Sequence, residues 1–197
     1  MRQNSLPCLL MLGFVLLAGT VPVIAGGSNL LLANQSRLER PAITAAQYTP
    51  IGGARLELST QQPLEGKSSL RVAAGQAQPD SPYGASTTVG VRERNYWYEK
   101  KEYNYLTSQF EAGFYTVSMY VRGDGPLTLG FTTDDGTSSS MECPVSATDW
   151  QRISLTVKAP VVFHEATISI TSKKFSATNA FFVDQVQWEP GAAATTY

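Results

Sequence analysis

From Phe114 to Arg122 the chain alternates without a break: Tyr115, Val117, Met119 and Val121 fall on one side, Thr116, Ser118, Tyr120 and Arg122 on the other. Successive side chains of a strand point to opposite faces, so a period of two marks a strand with one dry and one wet face. Gly123-Asp124-Gly125-Pro126 ends the run as a turn cluster. The pattern repeats down the chain. Leu127, Leu129 and Phe131 form the next inward row, stopped by the hairpin-like Asp134-Asp135-Gly136. After Trp150, Ile153, Leu155 and Val157 alternate with Ser154, Thr156 and Lys158; Ile168 and Ile170 follow. Near the end, Phe182, Asp184, Val186 and Trp188 share one parity opposite Val183, Gln185 and Gln187. Ser69–Ala73, Ser86–Val91 and Tyr105–Phe110 also read as strands, and no window carries a helical period. Eight or nine short strands separated by turn signals predict an all-β fold, an antiparallel two-sheet β-sandwich or jelly roll.

The first residues read differently. Arg2, the apolar stretch Leu9–Ala18 and the small residues Val23-Ile24-Ala25 predict a secretory signal peptide over 1–25. The apolar run is short against the roughly 20 residues a spanning helix needs, and an uncleaved anchor is the alternative. Residues 26–197 then form one domain, with a secreted, periplasmic or cell-surface location expected. Without Arg2 of the signal, 14 basic residues stand against 16 acidic ones, a formal net of −2. That balance argues against nucleic acid and against membrane partners beyond the export signal. Cys143 is the one cysteine left after the signal, so an intrachain disulfide is excluded; it is either a buried small hydrophobe or an intermolecular link.

Nothing in the sequence assembles a catalytic site. His164 is the lone histidine, and His164-Glu165 lacks the second His of a zinc-protease helix. No nucleophile elbow, phosphate loop or dinucleotide fingerprint occurs. The expectation is a protein that is not an enzyme. Arg92–Tyr105 instead interleaves five aromatics with charges of both signs and two asparagines. Sugar rings present apolar C–H faces beside hydroxyls, so Tyr96, Trp97 and Tyr98, with Asn95 and Glu99, supply the mixture a sugar site wants. The same residues would equally serve as an amphipathic packing loop or as a protein contact. By its parity Asp184 points to the core, where a carboxylate needs backbone N–H donors, a cation or a proton. Trp150 and Trp188 are expected in the core.

Several blocks in order carry a resemblance. Asn29-Leu30-Leu31 opens the chain after the signal, and Gly66-Lys67-Ser68-Ser69-Leu70-Arg71-Val72 follows. Then come Gly113–Val121, Trp150-Gln151-Arg152, and the ending Phe182–Gly191 with Ala194-Thr195-Thr196-Tyr197. Together they resemble the galactose-binding-like jelly-roll carbohydrate-binding modules of the CenC type, a domain also found in bacterial surface and phage tail proteins. The opening departs from that family: Ala33–Glu39 stands where a Gly-Phe-Glu-like turn is common. The resemblance implies a sugar-binding sheet face, which makes Tyr120 and Arg122 further ligand candidates. It also implies a structural calcium at Asp184, with Glu39 and the carbonyl of Lys67 as co-ligands. The functional expectation is a secreted, non-catalytic module that holds a poly- or oligosaccharide by aromatic stacking. Two rivals are a structural or adhesive envelope protein using the sandwich for protein contacts, and a calcium-stabilised accessory subunit of a separate enzyme.

Overall fold

The computed structural model describes residues 29–31, 36–38, 47–61, 63–78, 80–90, 109–174 and 179–196. The expected signal segment, 1–25, lies outside them. Ten strands follow one another: β1 (Thr49–Ile51), β2 (Arg55–Ser59), β3 (Ser69–Ala73), β4 (Tyr83–Gly90), β5 (Gly113–Gly123), β6 (Leu127–Thr133), β7 (Ser138–Cys143), β8 (Gln151–Ala159), β9 (Glu165–Ser172) and β10 (Ala180–Pro190). They form two five-stranded sheets, β1-β4-β9-β6-β7 and β2-β3-β10-β5-β8. Every pairing is antiparallel. The two-sheet sandwich expected from the alternation is the fold.

The inward rows close the core as their parity requires. Tyr115, Val117, Met119 and Val121 from β5 meet Leu127, Leu129 and Phe131 from β6 and Ile168 and Ile170 from β9, all buried. Trp188, fully buried, is the centre of an aromatic cluster. Its ring lies 4.9 Å from Phe110, 5.7 Å from Tyr115 and 5.9 Å from Phe131, spacings at which offset and edge-on ring pairs attract. Burial pushes the Tyr115 hydroxyl up to about 12, helped by the charge of Glu111, while that hydroxyl donates to the Glu111 carbonyl at 2.7 Å. Cys143 is 6% exposed and burial pushes its thiol up, which matches a buried small hydrophobe.

The parity expected for β10 fails halfway along it. The register against β5 shifts between Asp184 and Gln187, and Gln185 takes a φ of 45°. A β-bulge of this kind inserts extra residue into one strand and switches which side chains face the core. Before the bulge the inward residues are Phe181 and Val183; after it they are Val186 and Trp188. Phe182 and Asp184 therefore face outward, opposite to the simple alternation. The opening segment stitches the irregularity together. Asn29 Oδ1 accepts the Trp188 N–H at 3.0 Å, its Nδ2 donates to the Val186 carbonyl at 3.2 Å, and Leu30 N–H donates to the Trp188 carbonyl at 2.7 Å. The Asn-Leu at the start and the Gln-Trp-Glu near the end are thus one structural unit. Strand Ser86–Val91 is found as the longer β4; of Tyr105–Phe110, Phe110 bridges to Phe163 and 105–108 lie outside the described residues.

Candidate functional site

The outward face of the β2-β3-β10-β5-β8 sheet is where the sandwich concentrates polar chemistry. Register places one row directly across it: Glu57 beside Arg71, Arg71 beside Phe182, Phe182 beside Arg122. Trp150, just ahead of β8, extends the row, because Gln151 pairs with Val121. Strands lie about 4.8 Å apart, so these five side chains form a band across the strands. The Arg122 guanidinium carbon sits 4.8 Å from the Phe182 ring centre and 5.2 Å from that of Trp150. A cation between two rings is held by both quadrupoles and keeps both rings upright. Arg122 is 7% exposed and also donates to the Gln61 carbonyl at 3.3 Å, whereas Phe182 and Trp150 stay half-buried. At the edge, Glu57 binds Arg71 at 2.5 Å and Arg55 at 3.3 Å.

A second row runs Asp184, Tyr120, Arg152. Tyr120 is half-buried, with the Arg152 guanidinium carbon 5.9 Å from its ring centre. Arg152 donates to Ser118 Oγ at 2.9 Å, Gln187 Oε1 at 2.5 Å and the Thr195 carbonyl at 2.6 Å. Further along, Glu189 is 1% exposed and accepts from the Thr195 N–H at 3.0 Å and from the Thr195 hydroxyl at 2.5 Å. The C-terminal segment 191–196 crosses this end of the sheet, its Gly191 and Ala192 carbonyls accepting from Thr116 and Thr156.

Asp184 belongs to this face too. It is 1% exposed beneath the loop between β2 and β3, where Oδ2 accepts the Leu64 N–H at 3.0 Å and Oδ1 the Gln185 N–H at 2.8 Å. Calcium takes six to eight oxygens at about 2.3–2.6 Å. Of the set implied by resemblance, Lys67 is exposed and Glu39 lies outside the described residues. Among the described residues no three His, Cys, Asp or Glu side chains gather as a metal site. On its own, Asp184 has the geometry of an anchor for backbone N–H groups, holding the bulge to the loop.

Of the expected sugar-site residues, Asn95, Tyr96, Trp97, Tyr98 and Glu99 lie outside the described residues. The chain leaves β4 at Gly90, paired with Glu165, and Phe110 bridges to Phe163. These anchors sit at the Phe114 end of β5, opposite the end that carries Arg122. Tyr120 and Arg122 do face outward together. Phe182 and Trp150 are the residues that alternation misplaces: uninterrupted parity along β10 points Phe182 inward, and Trp150 is expected in the core, whereas both are half-buried on the outward face. The signal available for Trp150 was its place before the strand, at a turn, rather than within the alternation.

Two five-stranded antiparallel sheets, with aromatic and guanidinium groups banded across one outer face, make this chain a β-sandwich of the jelly-roll class. No protein-family model matches the chain, and no curated protein matches it. Solved structures do. The CBM22-1 xylan-binding domain of Paenibacillus barcinonensis Xyn10C is similar over 86% of this chain and 98% of its own, with a TM-score of 0.56 and 17% identity. TmCBM61 in complex with β-1,4-galactotriose is similar over 83% of this chain and 99% of its own, with a TM-score of 0.52 and 13% identity. The third is the CBM22-1–GH10 portion of Clostridium thermocellum xylanase Xyn10B with xylohexaose. It has a TM-score of 0.57 and 19% identity; the likeness covers 86% of this chain but 30% of that one. The likeness is therefore to whole isolated modules and to a fraction of a chain that also carries an enzyme module.

Proposed function

We propose that the protein is an exported, non-catalytic carbohydrate-binding module, and that the outward face of the β2-β3-β10-β5-β8 sheet is its binding surface. The observation that carries this reading is the band Arg71–Phe182–Arg122–Trp150 across four neighbouring strand positions. Half-exposed rings offer flat surfaces to the C–H faces of a sugar, and the guanidinium and amide groups beside them offer donors to its hydroxyls. The fold shared with modules solved as xylan-binding and galactotriose-bound supports the same reading. Tyr96, Trp97 and Tyr98, with Asn95 and Glu99, are proposed as further sugar contacts.

A glycan array followed by titration calorimetry tests it. Phe182→Ala and Trp150→Ala are each expected to weaken binding by about 1–3 kcal/mol, the range aromatic stacking platforms show on truncation. Unchanged affinity in both, with the fold intact by circular dichroism, would remove this face as the surface.

Calcium at Asp184 is proposed separately from sugar binding, completed by Glu39 and the Lys67 carbonyl. The burial of this carboxylate beside the β2–β3 loop supports it. A ligand held by the folded state alone stabilises by mass action, so chelator is expected to lower the melting temperature. A melting curve that does not move would overturn the calcium and leave Asp184 as the acceptor of the Leu64 and Gln185 N–H groups.

A further inference from the structure

The charge on that binding face differs in sign from the charge of the chain. Counted over the whole sequence, acidic residues outnumber basic ones by one. Register sets Arg55, Arg71, Arg122, Arg152 and Lys158 on the outward face of the β2-β3-β10-β5-β8 sheet, against Glu57, Asp184 and Glu189. Two of those three carboxylates are withdrawn from solvent. Asp184 and Glu189 are each 1% exposed and turned to backbone N–H groups and a hydroxyl. The acid that remains, Glu57, is shared between Arg55 and Arg71. At the rim, Glu65 and Asp149 keep their charges while bonding neutral partners in the flanking loops, Glu65 to Gln185 and Asp149 to Ser146 and Thr148, so the excess belongs to the sheet rows themselves.

Arg152 and Lys158 make the excess specific. Arg152 spends its hydrogen bonds on a hydroxyl, an amide oxygen and a carbonyl, all neutral. Lys158 is exposed on β8 with its ammonium 5.9 Å from the exposed Phe114 ring. Among the described residues neither forms an ion pair. A neutral sugar needs hydroxyl partners and rings but no such surplus. A guanidinium presents a planar fork that matches a carboxylate or sulfate through paired charge-assisted bonds. Arg71, which shares Glu57, and the largely buried Arg122 flank the Phe182 ring in the register, so an acidic group on a sugar stacked there would lie in the field of both cations.

We infer that the ligand of this face is an acidic polysaccharide, one whose sugars carry carboxylate or sulfate groups. The inference rests on the carbohydrate reading above and narrows it. The test is a panel of carboxylated and sulfated chains (polygalacturonate, alginate, glucuronoxylan, a sulfated galactan), each beside its carboxyl-reduced or desulfated form. At least one charged chain is expected to bind about tenfold or more tightly than its neutral counterpart, with affinity falling as salt is raised. Lys158→Gln and Arg71→Gln, both at solvent-reachable positions, are expected to reduce that preference and the salt dependence. Lys174→Gln, just beyond β9 of the other sheet and paired with Asp124, is expected to leave both unchanged. Equal binding to charged and neutral forms would overturn the acidic ligand and leave carbohydrate binding standing. Binding to no glycan in the panel or on a neutral array would overturn both. Single-stranded DNA bound as tightly as the best polysaccharide would overturn the inference in favour of plain ion exchange.

Discussion

Asp184 and Asp134 use one chemical device at two corners of the fold: each carboxylate accepts two backbone N–H groups. Asp184 holds Gln185 at the bulge and Leu64 in the loop above it. Asp134, in the β6–β7 turn, accepts the N–H groups of His164 and Glu165 at 2.9 and 3.1 Å, with His164 Nδ1 3.6 Å from its other oxygen. Asp184→Ala removes both acceptors at a buried position, and two bonds to a charged group are together worth about 3 kcal/mol. At roughly 2–4 °C per kcal/mol for a domain of this size, the melting temperature is expected to fall by about 6–12 °C. The backbone N–H bonds of His164, then of Glu165, hold the Asp134 carboxyl below its ordinary 3.8. A depressed carboxyl contributes stability that is present above its unfolded value and lost as pH falls through the folded one. A carboxyl-detected NMR titration should place the Asp134 midpoint below 3.8; a midpoint at or above it would mean the turn does not hold those bonds in solution.

At the scale of elements, β10 and the segment after it organise the outward face. The bulge turns Phe182 and Asp184 out and Val186 and Trp188 in, so a single irregularity supplies both the ring of the binding band and the centre of the core. The segment 191–196 then folds back over the sheet and satisfies Glu189 and Arg152. Ending the chain at Pro190 would strip Glu189 of both Thr195 donors, and a buried carboxylate without them loses about 1.5–3 kcal/mol per bond. The shortened protein is expected to melt several degrees lower, with the loss restored in part by Glu189→Gln, which removes the charge. No change in melting would show that the crossing segment adds nothing to stability.

At the scale of the molecule, the sheets are interleaved in sequence. β10 sits in the middle of its sheet, between β3 and β5, and Asn29 closes on Val186 and Trp188. Neither end of the chain can form its sheet without the other. A chain ending at Ser172 lacks β10 and Trp188, so it is expected to show no cooperative thermal transition, whereas the full chain melts in one step. A truncated protein with a sharp transition would show that the sheets assemble independently. The same interleaving explains why the Asn-Leu opening and the Trp188 ending form one unit although they lie at opposite ends of the sequence.

The alternation from Phe114 onward was enough to determine β5, β6, β8 and β9 with their inward rows, and the two-sheet class, because burial on one face of a strand writes a period of two into the sequence; β1, β2 and β7, short or mostly polar, carry no such row and were not legible. Tyr120 and Arg122 were legible as outward-facing for the same reason. The bulge at Asp184–Gln187 was not, since Asp184 and Gln185 between the two valines are both polar and hydrophobicity does not say which of them is the extra residue. Only the tertiary structure decided that Phe182 joins Arg122 and Trp150, because that band is made by register between strands distant in the chain. Register depends on which backbone groups pair, and that information does not reside in any one segment.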